Sequence, residues 1–103
     1  MYRSIVIEEK FDLTVNDKKN TVLRSESYTA NFVENTILVR YLFHNETLIK
    51  KDSFKVLEMN PGYLKIRGKD KKVRALSYTD LISKKMKVGD LNCKTMWRIY
   101  EDD

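Results

Sequence analysis

The chain has 103 residues, 20 of them Lys or Arg and 15 Asp or Glu, for a formal net charge of +5; 42% of its residues are hydrophobic and 34% charged. That length suits one domain, and the balance is globular rather than disordered. No apolar run approaches the roughly 20 residues of a membrane-spanning helix, so no membrane partner is expected. One Cys closes no internal disulfide and the first residues read as no signal peptide, which points to a reducing cytoplasm.

In chain order, period-2 alternation dominates the first half and predicts half-buried strands. Ile5, Ile7, Phe11, Leu13 and Val15 share one parity against Glu8, Lys10, Asp12 and Thr14, which predicts one strand over 5–15. The polar cluster 16–20 closes a hairpin into a second long strand through Val22, Arg24, Glu26, Tyr28, Ala30 and Phe32. Residues 37–44 are apolar in both parities, as in a central strand covered on both faces. His44-Asn45-Glu46 turns the chain into a short strand at 47–49, and Lys50–Ser53 separates that from a strand at 54–59.

Asn60-Pro61-Gly62 is the strongest turn signal, with Pro and Gly placed for type II geometry. Strands at 63–67 and 72–76 follow, joined at 68–71. Ser77-Tyr78-Thr79-Asp80 resembles a capping box ahead of Leu81, Ile82 and Met86, predicting one short helix near 78–87. Leu91, Cys93, Thr95, Trp97 and Ile99 form a closing strand. The expected fold is mainly β: a single antiparallel small barrel or strongly bent sheet of about six or seven strands. Tyr41, Phe43, Phe54 and Trp97 are expected in its core.

Charge is unevenly spread. Residues 1–52 carry eight basic and eight acidic side chains, whereas 53–103 carry twelve and seven, so the whole excess lies in the second half. Lys65, Arg67, Lys69, Lys71, Lys72 and Arg74 crowd one hairpin, a field that attracts polyanions. Alternation offers Lys65, Arg67, Lys72 and Arg74 a common face, with Lys69 and Lys71 at the tip. Tyr63 and Tyr78 flank it, as base-stacking rings or packing residues. The same cations equally suit a solvated, aggregation-resistant edge. Lys84, Lys85 and Lys87 form a second basic cluster that extends this surface or favours the helix C-terminus.

Enzymatic constellations are missing. The single His44 abuts a turn and reads as a turn residue rather than a general base. Cys93 lies in the packed parity of its strand, as a small hydrophobe. One His and one Cys build no standard zinc site, and none of the three Gly opens a phosphate-binding helix, so no metal or cofactor is expected.

Residues 37–82 run strand, turn, strand, Asn60-Pro61-Gly62 turn, strand, basic turn, strand, then Ser77 to Ile82. In this order the segment resembles the strongly bent small barrels of the Sm-like and SH3-like type. Within that class it is similar to YolD-like proteins, whose Asp-Leu-Ile element would correspond to Asp80-Leu81-Ile82. Residues 57–82 are similar as well to the C-terminal strands of YabP/YqfC-type sporulation proteins. The resemblance implies a fold and leaves activity open.

The expected function is therefore that of a small non-enzymatic bacterial or phage binding protein, meeting nucleic acid or a ribonucleoprotein through the basic hairpin. The alternative is a protein–protein inhibitor or adaptor, such as a phage product acting on a host defence or regulatory protein. Oligomeric state has no signature in the sequence.

Overall fold

Turn chemistry sets the strand boundaries. The computed structural model describes residues 2–7, 11–24 and 29–102, which form ten strands in two antiparallel sheets and one short helix. Asn45 and Glu46 both take positive φ (48° and 67°), the type I′ pair whose twist matches its flanking strands. They join β5 (Ile37–His44) to β6 (Thr47–Asn60). Gly62, at φ 89° behind Pro61, gives the expected type II turn into β7 (Tyr63–Gly68). A three-residue loop ending on Lys71 at φ 64° leads to β8 (Val73–Ser77).

The large sheet runs β1-β10-β5-β6-β7-β8, with β1 (Tyr2–Val6) and β10 (Leu91–Asp102) antiparallel. A further strand, β9 (Lys85–Val88), shares one edge of β10 with β1. It faces residues 91–94, whereas β1 faces 98–102. Between them Thr95 N–H donates to the Lys84 carbonyl (3.0 Å) and Ile7 N–H to the Trp97 carbonyl (2.9 Å). Lys84 Nζ donates to the Ile7 carbonyl (2.9 Å), joining the two strand ends.

The small sheet is a meander of β2 (Asp12–Asp17), β3 (Asn20–Arg24) and β4 (Thr29–Val33). It docks on β6 through backbone bonds. Asn35 N–H donates to the Val56 carbonyl and Val56 N–H to the Thr36 carbonyl, both at 2.9 Å. Met59 N–H reaches the Lys18 carbonyl (2.9 Å) beside a bulge between Val56 and Glu58.

Between the sheets lies the core. Leu38, Phe54, Val56, Leu64, Ile66, Trp97 and Ile99 come from the inner face of the large sheet; Leu23 and Phe32 oppose them from the small one. Each such side chain contributes about 1.5–3 kcal/mol on burial. Trp97 is 3% exposed and lies 5.9 Å from Phe54, ring centre to ring centre, in the core as expected. The helix α1 (Tyr78–Ile82) adds buried Leu81, and Ser77 Oγ accepts the Asp80 N–H (3.0 Å) as the capping box predicts. Among the described residues no helix is long and apolar enough to cross a membrane.

Several expectations need correction. The strand expected over 5–15 is two elements in different sheets. Ile5 and Ile7 face the core from one side, and Phe11 and Leu13 from the other, so parity survives the change of sheet. The strand through 22–32 is a hairpin of β3 and β4. Glu8, Lys10, Glu26 and Tyr28 lie outside the described residues. Lys50–Ser53 does not interrupt β6, because β5 supplies partners: Arg40 meets Asp52 at 2.9 Å, and Lys51 lies over the Tyr41 ring. The helix stops at Ile82, and Met86 belongs to β9. Tyr41 and Phe43 are not core; they are half-buried on the opposite face from Leu38 and Leu42. Among the described residues there are ten strands, seven of them in the large sheet. Among the described residues β8 pairs with β7 alone and the strand path ends there, an open, bent sheet with no barrel closure.

Candidate functional site

The basic hairpin does not present its cations on one face. Its loop, 69–71, has three residues, so Gly68 N–H meets the Lys72 carbonyl (3.3 Å) and the register pairs Arg67 with Val73, Ile66 with Arg74 and Lys65 with Ala75. An odd loop places Lys65 and Arg67 on the outer face and Arg74 on the inner face with Ile66. There Arg74 donates to Asp70 at 2.6 and 3.2 Å. That pair, with the Lys72 backbone N–H, lowers the Asp70 pKa to about 2. Lys72 is exposed just ahead of β8.

Arg74 and Asp70 line an inner cleft of about 440 Å³ with Arg40, Asp52, Phe54 and Trp97. Arg40 stacks over both rings, 5.5 Å from the centre of Phe54 and 5.6 Å from that of Trp97. Both inner arginines are therefore neutralised by carboxylates.

The outer face is different. Register and alternation place Lys51, Lys55, Lys65, Arg67, Lys85, Lys87, Lys94 and Arg98 there, eight cations on four strands, β6, β7, β9 and β10. Glu58 opposes them, shared between Lys65 (3.6 Å) and Lys18 (3.4 Å). Among the described residues the other seven pair with no carboxylate; Arg98 instead donates to Ser4 Oγ (3.1 Å). Lys55, Arg67, Lys69 and Lys71 share one groove of about 480 Å³. Four of the sequence-derived cations, Lys65, Arg67, Lys69 and Lys71, are thus brought into this surface, and Arg74 is not.

Tyr63 is exposed, 39% by area. Tyr78 packs half-buried against the core and donates to the Asn60 carbonyl (2.8 Å), so its ring is a packing group; burial first of all raises its pKa. The rings that sequence reasoning missed are Tyr41, Phe43 and Tyr100 on the outer face. Tyr41 and Tyr100 join their hydroxyls at 2.8 Å, and Lys51 Nζ lies 5.6 Å from the Tyr41 ring centre. Phe43 borders a recess of about 460 Å³ with Asn45, Glu46, Asn92 and Lys94. The missed cations are Lys51, Lys55, Lys94 and Arg98; Lys55 and Arg98 had one available signal, each standing between two apolar neighbours, while Lys85 and Lys87 belong to the second basic cluster read from the sequence.

His44, expected in the turn, is instead the last residue of β5, next to the turn, and hydrogen-bonds the Asn92 carbonyl through Nδ1 (3.1 Å). Cys93 is buried. Among the described residues no three His, Cys, Asp or Glu cluster in a way that could hold a metal ion.

Comparison with protein families, curated proteins and solved structures finds no match to this chain.

Proposed function

We propose that the outer face of the large sheet binds nucleic acid, chiefly through its phosphates. The observation that carries this reading is the segregation of charge: among the described residues eight Lys and Arg share one face with Glu58 and, in the recess at its rim, Glu46, while the inner arginines are matched by Asp52 and Asp70. Five adjacent strands at about 4.8 Å spacing spread these cations over roughly 20 Å. A surface of that width follows several successive phosphates, with Lys serving as a point charge rather than a base reader. The hairpin contributes Lys65 and Arg67, and Lys69 and Lys71 extend the groove.

Salt dependence tests it. Each neutralised phosphate adds about −0.7 to the slope of log K against log salt on a single strand, and about −0.9 on duplex. Replacing Lys55 and Arg67 together by Gln is expected to flatten the slope by about 1.4 on a single strand. The inner-face variant Lys50→Gln is expected to leave it unchanged. Fluorescence anisotropy across a salt series makes the measurement. Absence of binding at low salt, or an unchanged slope in the double variant, rejects the proposal and favours an acidic protein partner.

A further inference from the structure

Phosphate contacts give no role to the aromatic side chains of the outer face. Tyr41 and Phe43 stand two residues apart on β5, about 6.7 Å along the strand. Both are half-buried, on a surface with Met96, Arg98 and Lys94 from β10. A duplex keeps its bases stacked on one another, so such rings have nothing to offer it. Unpaired bases stack on exposed aromatic faces.

The recess beside Phe43 carries a second argument. Its volume, about 460 Å³, falls within the range of small-molecule sites, roughly 300–1,000 Å³. The lining is one ring, two amides, one cation and one carboxylate: Phe43, Asn45, Asn92, Lys94 and Glu46. Glu46 makes this a poor seat for a phosphate. Neutral donors and acceptors beside a ring suit the polar edge of a base instead.

His44 also organises the rim. The Asn92 carbonyl can only accept, so His44 Nδ1 donates to it, which leaves Nε2 to accept from Asn45 Nδ2 at 3.3 Å. Asn45 is thereby turned with its amide nitrogen toward His44 and its Oδ1 free for another donor. Next to the recess, Lys94 pairs across the ladder with Lys85, so two cations stand where the flanking backbone would pass.

Resting on the nucleic-acid reading above, we propose that the ligand is single-stranded and that one unpaired base occupies the recess on Phe43, with Tyr41 stacking its neighbour. Asn45, Asn92 and Glu46 meet the polar edge of the base, and Lys94 and Lys85 its phosphates.

The experiment compares three short probes of equal length by fluorescence anisotropy: a single strand, the corresponding duplex, and a single strand with abasic sites. Stacking contributes about 1–3 kcal/mol per base, or about 5- to 150-fold in affinity. Wild type is expected to prefer the single strand over the abasic probe by a factor in that range. Phe43→Leu is expected to lose most of that preference, the remainder resting on Tyr41, while retaining its affinity for the abasic strand, its salt slope and its circular dichroism spectrum. Phe43→Trp is expected to keep the preference, with its new fluorescence quenched by the single strand and not by the abasic probe. Equal affinity for all three probes, or a Phe43→Leu loss equal on all three, overturns the single-strand proposal and leaves phosphate binding standing. Failure to bind any probe at low salt overturns both.

Discussion

At the scale of single residues, the Tyr41–Tyr100 pair is the outer face's most defined polar contact. The hydroxyl contact with Tyr100 first, then partial burial, raises the Tyr41 pKa above 10.0, while nearby Arg98 pulls the other way. The folded chain therefore holds this proton more tightly than the unfolded chain does. Stability from the pair is complete below pH 10 and is lost as pH rises through the raised folded value. An ultraviolet titration is expected to show two of the six tyrosines, Tyr41 and Tyr78, ionising late. In Tyr100→Phe only the Tyr41 step is expected to move down toward its ordinary position. A tyrosinate curve unaltered by Tyr100→Phe would show that the hydroxyl contact does not set Tyr41's acidity.

At the scale of elements, the β7–β8 hairpin shows how a loop governs a face. Gly68 sits where a Cβ would lie 3.0 Å from Asp70 Oδ1 and 3.2 Å from an Arg74 guanidinium nitrogen. Both obstacles are side-chain ends, so Gly68→Ala is tolerated by the backbone and opens the ion pair. Asp70 is then expected to titrate nearer 3.8 than its present value of about 2, read by NMR of its carboxyl. Asp70 contributes stability above pH 3.8 that is lost as pH falls toward 2, and the variant narrows that interval. Because both groups are exposed, the loss in stability is small. An Asp70 titration that stays near 2 in Gly68→Ala would mean that the pair adjusts without opening.

The same hairpin marks what the sequence made legible. Turns written in Asn45-Glu46, Pro61-Gly62 and the Ser77 cap were readable because each depends on local backbone chemistry. Alternation identified the buried sides of β7 and β10 for the same reason, whereas β5 is apolar in both parities and did not disclose that Tyr41 and Phe43 lie on its outer side. Two things were not local. Ile5 to Leu13 keeps one parity across a change of sheet, and Lys50–Asp52 looks like a loop until Arg40 and Tyr41 stand opposite. The site followed this division: its charge excess was visible by counting, but its face depended on cross-strand register. A one-residue shift of the β7–β8 register would have put Arg74 beside Lys65 and Arg67.

At the scale of the whole molecule, pairing is strongly non-local. β1 meets β10 from opposite ends of the chain, with Tyr2 opposite Asp102 and Val6 opposite Arg98. Such closure costs chain entropy before its contacts repay it, which places folding in the slower range of small domains, milliseconds to seconds. Stopped-flow refolding monitored by Trp97 fluorescence is expected to fall there; microsecond refolding would contradict the role given to these long-range ladders. Trp97 is a suitable probe because its burial requires β10, β5 and β6 together.

The three pairings made by β10 also bear on how the chain is born. β10 is the last of the ten strands to be synthesised, and residues 45–90 separate it from the end of β5. At 5–20 residues per second, that interval is roughly two to nine seconds. Throughout it β5 shows a bare hydrogen-bonding edge carrying Leu38, Val39 and Leu42, and β1 has no partner strand at all. On the ribosome, then, the nascent chain spends seconds as an open template, and any chaperone or neighbouring nascent strand competes with β10 for that edge until it arrives.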